Sequence, residues 1–415
     1  MPVTKNLQTY SVGGYVRDRL LGVPGKDRDW VVIGATVEQM LALGFEQVGK
    51  DFPVFLHPQT KDEYALARTE RKTAPGYKGF QVYAAADVSL EDDLLRRDLT
   101  INAMAMDEHD TIIDPFNGRD DLRQRLLRHV SLAFTEDPVR ILRVARFVAR
   151  LSPFNFRVAP QTMALMQTMV RNNEVDALTA ERVWQEIDSA LQTSRPDLFF
   201  QVLRRCGALQ RLLPELDGLF GIPQSIRSHP EIDCGIHTLM VLRQAVLLSD
   251  DPTVRFAALT HDLGKGVTAP ALWPKHTGHE LQSVALLEQV CRRLKVPNEY
   301  YSLARIVARY HGACHNALDS DAQGIVDLFD GLDIWRRPQR LQAFVTVCTA
   351  DSRGRSGFEQ SDYPQAAFVT AMARACLDID KSPLLDAGYK GADFGKALRA
   401  LRITAVEQAM TVYGS

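Results

Sequence analysis

Ser11-Val12-Gly13-Gly14-Tyr15-Val16-Arg17-Asp18 and, nine residues on, Asp27-Arg28-Asp29-Trp30-Val31-Val32-Ile33 decide the fold of this chain. In the first stretch a short apolar run enters a double glycine and leaves as a helical pattern with Arg17 about one turn in. Glycine lets the backbone approach a phosphate closely, and a helix N-terminus offers unpaired N–H groups and a partial positive charge. In the second stretch two carboxylates, two residues apart, lead into a β-branched run. On a strand both carboxylates point to one side while Arg28 points away. Two adjacent anions repel, a divalent cation relieves the repulsion, and magnesium favours a few carboxylates together with substrate phosphates. Asp27 and Asp29 are therefore the candidate catalytic metal ligands for a nucleoside triphosphate. Glu63, at the start of a later strand, is a candidate third carboxylate.

Outward from this core, strand patterns at Asp29–Ile33, Glu63–Arg68 and Gln81–Ala85 predict an α+β head over residues 1–138. Residues 139–228 form a helical neck with apolar residues at three and four spacing, as in Val183, Trp184, Ile187 and Leu191. From Arg140 to Ser228 the neck carries 12 Arg and no Lys against 8 acids, an excess of four positive charges suited to RNA. Gly218 to Pro230 reads as a linker. A histidine-rich helical segment spans 229–352 and a helical tail 353–415.

The chain's 415 residues exceed one ordinary domain. With 46% hydrophobic and 24% charged residues it has the composition of a soluble globular protein, and no window reaches the roughly 20 apolar residues of a membrane span. The first ten residues lack the layout of a secretory signal, so cytoplasm is the expected compartment. The six cysteines lie at least 23 residues apart, which excludes a CxxC clip and predicts reduced, mostly buried thiols. A formal charge of -2 excludes a globally basic coat, leaving only a local basic face for nucleic acid.

Arg96-Arg97-Asp98 supplies a guanidinium pair that can clamp phosphate oxygens, with Asp98 placed to orient one of them. Thr135-Glu136-Asp137-Pro138 has the form of a helix start with Asp137 as cap. Behind it Arg140, Arg143, Arg146 and Arg150 form one face, and Ile141, Val144, Ala145 and Val148 the other. Like charges so spaced cost a few tenths of a kcal/mol per pair, so the arginine face needs an anion such as a triphosphate or RNA. A carboxylate beside a guanidinium, as Asp137 and Arg140 would be, matches the amino donor and ring acceptor shared by cytosine and adenine and mismatches uracil and guanine. Capping alone is the other use of Asp137.

Further on, His237, His261-Asp262, His276, His279, His311, His315 and Asp351 bring together imidazole and carboxylate donors that suit transition metals, which generate a hydroxide nucleophile near neutral pH, and the sequence by itself does not rank them. Lys265 could contact a phosphate.

Gly13-Gly14-x-x-Arg17-Asp18, Asp27-x-Asp29, Arg96-Arg97-Asp98 and Glu136-Asp137-x-x-Arg140-x-x-Arg143-x-x-Arg146 stand in the order and spacing of class II tRNA nucleotidyltransferases, which this chain resembles over about 140 residues. The order His237, His261-Asp262, Asp351 resembles the HD phosphohydrolases, and together the two cover essentially the whole chain as in the bacterial CCA-adding enzymes with a fused HD domain. The resemblance implies a polymerase β-like head and a helical body. It implies Mg²⁺ on Asp27 and Asp29, triphosphate contact by Gly14, Arg17 and Arg97, and nucleotide recognition by Asp137, Arg140, Arg143 and Arg146. It also implies Ni²⁺, Mn²⁺ or a similar metal on His237, His261, Asp262 and Asp351. The implied partners are the acceptor end of tRNA, CTP and ATP, in a monomer or homodimer without a membrane. The implied reactions are attack of the RNA 3′-hydroxyl on the nucleotide α-phosphate and, in the HD segment, 2′,3′-cyclic phosphodiesterase, 2′-nucleotidase and phosphatase activity. A poly(A) polymerase, and a phosphohydrolase with a non-catalytic head, remain alternatives; the former would bring a basic C-terminal extension that residues 356–415 lack.

Overall fold

The computed structural model describes residues 4, 7–24, 28–48, 54–72, 80–83, 86–226 and 229–413, with 69–72 and 80–83 described by backbone alone. The chain divides into two compact units, Met1–Glu186 with Leu198–Leu212, and Ile187–Asp197 with Leu213–Ser415.

The first unit is built on a mixed sheet. Its strands are β1 (Gln8–Val12), β2 (Trp30–Ile33), β3 (Glu46–Val48), β4 (Val54–Leu56) and β5 (Glu63–Leu66); β6 (Thr69–Lys72) and β7 (Phe80–Tyr83) form a separate ribbon, and β8 (Ala105–Met106) and β9 (Ile112–Ile113) follow. The seven strands of the sheet lie in the order β3-β4-β5-β2-β1-β8-β9. The three strands expected from the sequence are present but shorter, and the expected end of the third at Ala84-Ala85 lies outside the described residues.

Central β2 explains its own unalternating sequence. Val31 packs into a cluster with Val12, Leu94 and Ala103, while Val32 enters another with Met40, Phe55 and Leu66. Both valines are 1% exposed, so the strand is buried on both faces and reads as a continuous apolar run. Register then places the chemistry. Trp30 pairs antiparallel with Ser11 and parallel with Tyr64, so the end of β1, the start of β2 and the start of β5 share one end of the sheet. The Gly13-Gly14 turn, Asp29 and Glu63 therefore lie along that end.

The arginine-rich helix runs over Val139–Arg150, with Ile141, Val144 and Ala145 fully buried as their stripe predicts. Asp137 is extended, and its Oδ1 accepts from Val139 N at 3.2 Å, so it does cap this helix.

Helices make up most of the second unit, among them Cys234–Leu248, Pro252–Thr260, His279–Leu294, Asn298–His315 and Arg340–Arg353. In the stretch read as a linker, Gly218 to Pro230, Leu219 and Gln224 are buried while Gly218, Gly221, Ile226 and Pro230 are exposed, and Gly235 lies so close to the Phe220 ring that a Cβ would overlap it. The helix Pro252–Thr260 stops just before His261, and the chain resumes as a 3₁₀ turn over Leu263–Val267. The break lets Gly264 dock on the start of helix His279–Leu294, where its N–H donates to Ser283 Oγ at 2.8 Å and a side chain would collide with the His279 carbonyl.

All six cysteines are free, buried thiols, as expected. Among the described residues no helix is long and apolar enough to cross a membrane.

Candidate functional site

Asp29 lies directly before β2, exposed, with its carbonyl accepting from Val12 N at 3.0 Å, which ties it to the glycine turn. Asp27 lies outside the described residues, and with it the expected pairing of the two carboxylates. Gly13 adopts φ 70°, ψ -127°, a conformation that only glycine takes readily. A Cβ there would stand 2.9 Å from Arg97 Nη1, so the Arg97 guanidinium rests on the turn. Gly14 opens a helix of only 7 residues, Gly14–Leu20. Arg97 is thus the stronger source of positive charge at this turn than so short a helix dipole. Arg28, expected merely to point away, donates to Ser11 Oγ at 2.7 Å and stacks on Trp30 and Tyr15 at 4.0 and 4.8 Å.

The remaining motif residues are wired to one another. Arg17, expected to face a triphosphate, is turned inward and 1% exposed. It donates through Nε to Asp18 at 2.8 Å and through Nη1 to Asn102 Oδ1 at 2.6 Å. Asn102 Nδ2 donates to Asp98 Oδ1 at 3.0 Å, Arg143 Nε donates to Asp98 Oδ2 at 2.8 Å, and Arg150 Nη2 reaches Asp18 Oδ2 at 3.2 Å. Asp98 thus orients Arg143, while Arg96 pairs with Glu136 and Arg97 with Asp93. Burial works to raise the Asp98 pKa, but the charge of Arg143 and the hydrogen bonds from Asn102 and Arg143 outweigh it and hold the carboxyl below its ordinary value.

Three of the four arginines of this face therefore meet anions within the chain. Besides Arg143 and Arg150, Arg146 binds Glu186 Oε2 at 2.6 Å, and Arg140 donates to the Ala133 carbonyl at 2.8 Å. Arg182 holds the two oxygens of Asp137 at 3.0 and 2.6 Å in a bidentate fork, while the Arg140 N–H donates to the Asp137 carbonyl at 3.0 Å. Arg182 was not singled out from the sequence. The only signal for it was the Lys-free arginine excess of the neck.

In the second unit the four expected residues converge. His237 Nε2 stands 2.9 Å from Asp351 Oδ1, and His261 Nε2 lies 3.2 Å from Asp262 Oδ2 and 3.6 Å from Asp351 Oδ1. His279 and His311 approach Asp262 Oδ1 at 3.0 and 3.4 Å, and His315 Nε2 meets Asp351 Oδ2 at 2.7 Å. Lys265 Nζ lies 2.6 Å from Asp262 Oδ2 and donates to Gln224 Oε1 at 2.8 Å. His276 faces away, between Thr268 and the Pro223 carbonyl.

This set fits a cation. His261 Nε2 and Asp262 Oδ1 are buried, and no donor or acceptor meets them in hydrogen-bond geometry despite these close approaches. Such groups are costly in a protein interior unless a charge compensates them. Burial disfavours the charged form of His261, yet Asp262 and Asp351 outweigh it and push its pKa up to about 10. Imidazole and carboxylate are borderline to hard donors, suited to a first-row transition metal. Ligand atoms of His237, His261 and Asp351, of Asp262, His279 and His311, and of His229, Glu231 and His237 each fall within 4.8 Å of one another. His229 and Glu231 were missed because the first lies inside the stretch read as a linker and the second directly after it.

The sheet with its carboxylate at a glycine turn, the arginine-rich helices and the His/Asp cluster define a nucleotidyltransferase of the polymerase head class joined to an HD domain. Family profiles agree: residues 9–128 match the poly A polymerase head domain, 155–219 a probable RNA and SrmB-binding site of polymerase A, and 235–335 the HD domain. The chain is 58% identical to a multifunctional CCA protein of Thioalkalivibrio sulfidiphilus, covering 98% of this chain and 100% of that one. To a protein of the same name from Methylococcus capsulatus it is 57% identical, over 97% and 95%. It belongs to the multifunctional CCA protein family. Among solved structures, a CCA-adding enzyme in complex with CTP shares the fold with a TM-score of 0.64 at 20% identity, covering 98% of this chain and 90% of that one. The Thermotoga maritima CCA-adding enzyme complexed with tRNA does so with a TM-score of 0.63 at 18% identity, covering 99% and 93%.

Proposed function

We propose that this protein adds C, C and A to the 3′ end of tRNA from CTP and ATP, releasing pyrophosphate, and that its second unit is a metal-dependent phosphohydrolase. The observation that carries the first activity is the placement of Asp29 beside a glycine turn overlaid by Arg97, at the end of the sheet where Glu63 also begins its strand.

Asp27 and Asp29 would hold Mg²⁺, with Glu63 as a third carboxylate; a metal there would supply activation of the attacking hydroxyl and neutralisation of charge at the α-phosphate. Gly14 and Arg97 receive the triphosphate. Arg17 acts from behind, fixing the turn through Asp18 and Asn102. Asp137, held by Arg182, reads the base together with Arg140, and Arg143 and Arg146 contact the nucleotide from the same helix. The segments are a head at 1–138, a neck at 139–228, an HD domain at 229–352 and a tail at 353–415; the three matched family spans fall within the first three. The compartment is the cytoplasm.

In the HD domain His237, His261, Asp262 and Asp351 hold Ni²⁺, Mn²⁺ or a similar ion, with His279 and His311 around Asp262 able to complete a second position. A metal held there would supply a hydroxide nucleophile. Lys265, buried and charged beside Asp262, neutralises the phosphate of the substrate. The substrates are 2′,3′-cyclic phosphates, 2′-nucleotides and other phosphomonoesters.

The test is to incubate the protein and Mg²⁺ with tRNA transcripts ending at the discriminator base, with CTP and ATP separately and together. Two residues added from CTP, and a third only with ATP present, is the expected result. Long A tails would instead indicate a poly(A) polymerase, and no extension a non-catalytic head.

A further inference from the structure

We infer that Glu231 is a positioning residue of the HD metal centre: it braces the far nitrogen of His237, and so sets how tightly that imidazole holds the metal. The inference rests on His237 being a metal ligand, as proposed above.

His237 is fully buried and touched at both ring nitrogens. Nε2 faces Asp351 Oδ1 at 2.9 Å, on the side of His261. Nδ1 lies 3.1 Å from the Gly354 carbonyl and 2.9 Å from Glu231 Oε1. A carbonyl oxygen can only accept, so Nδ1 carries the proton and Nε2 is the nitrogen that can ligate. That assignment decides between two readings of the His229, Glu231 and His237 group. With a proton on Nδ1, His237 has no lone pair left for an ion on that side, and the group is an orienting shell rather than a separate metal site.

The burial of Glu231 supports the same conclusion. Its side chain is only 2% exposed. Oε2 accepts from Ser356 N at 3.2 Å, and Oε1 faces Nδ1 at 2.9 Å, sharing it with the Gly354 carbonyl. A buried carboxylate so weakly satisfied is unfavourable beside a neutral imidazole and favourable beside one that transmits the charge of a cation. The carboxylate in turn raises the basicity of the ligating nitrogen, and changes to such partners typically lower metal affinity about 10- to 100-fold. Gly354 is part of the device: its Cα sits against Val241, one turn beyond His237 on the same helix, where a Cβ would stand 2.5 Å from Val241 Cγ2. Only glycine brings this carbonyl to Nδ1.

The experiment titrates Ni²⁺ into the metal-free full-length protein against a chromophoric chelator, for wild type, Glu231→Gln and Glu231→Ala. Circular dichroism and nucleotide addition serve as controls of folding. Affinity is expected to fall about 10-fold in Glu231→Gln and towards 100-fold in Glu231→Ala, with unchanged stoichiometry. Equal affinity in all three proteins overturns the inference while leaving the metal site intact. Loss of one whole equivalent, with the others unaffected, also overturns it, because Glu231 would then be a ligand of its own ion. A wild type that binds no Ni²⁺ overturns the metal-site reading and the inference with it.

Discussion

Each unit holds a cluster of charged side chains, and the two clusters are completed in opposite ways. In the first, Arg17, Asp18, Asp98, Asn102, Arg143 and Arg150 satisfy one another. In the second, His261 Nε2 and Asp262 Oδ1 are left without hydrogen-bond partners among a crowd of imidazoles. A network that closes on itself supplies geometry, because each group is held whether or not a ligand is present. A network that stays open supplies affinity, because only a ligand completes it.

The sharpest way to break the comparison is to remove one carboxylate from each unit. Asp262→Ala should abolish metal retention and phosphohydrolysis while sparing nucleotide addition, and Asp29→Ala should do the reverse. Each loss should be about 10³-fold or more, the several kcal/mol that a bound metal contributes at about 1.4 kcal/mol per decade, read by gel extension and phosphate release. Loss of both activities in either variant would mean the sites are not independent.

Asp98→Asn tests whether the closed network is structural. It should cost about 2 to 3 kcal/mol in urea denaturation, below the roughly 3 to 5 of a fully buried pair because the Arg143 side chain is 39% exposed. The folded pKa of Asp98 lies below its ordinary 3.8, so its contribution is present above that value and lost as pH falls through the folded one. The stability gap between wild type and Asp98→Asn should therefore close in acid below pH 3.8. A gap that stays open there would show that shape, not charge, carries the effect.

Gly13→Ala should cost about 1 to 2 kcal/mol through its backbone and dislodge Arg97, so that KM for the nucleotide rises even where the protein is folded. The smallest effect belongs to an exposed pair outside either network. Arg123→Ala, which removes the ion pair with Asp120 at side chains 77% and 51% exposed, should change stability by no more than about 0.5 kcal/mol.

Why some of this was legible in the sequence follows from range. The strands, the glycine turn and the apolar stripe of Val139–Arg150 depend on neighbours within a few residues, and their spacing reports them. The choice of partner for each arginine does not. Asp98 finds Arg143 and Asp137 finds Arg182 across 45 residues each, and nothing local distinguishes those arginines from Arg96 or Arg140. The HD ligands were legible as residue types in order. Glu231 was not, because its part depends on a carbonyl at Gly354, 117 residues beyond His237.

The closed network of the first unit leaves and rejoins a single helix, at Arg143 and Arg150. Seven residues is close to two full turns, so both arginines leave from nearly the same face, about 10 Å apart along the axis. In mechanical terms the helix is one chord of a truss whose struts run through Asp98, Asn102, Arg17 and Asp18. A rod pinned at two such points neither rolls nor slides unless both pins fail together. Amides of Gly14–Leu20 and Val139–Arg150 should accordingly exchange with deuterium as one cooperative block, and Asp98→Asn, which leaves the Arg150–Asp18 pin in place, should not split it.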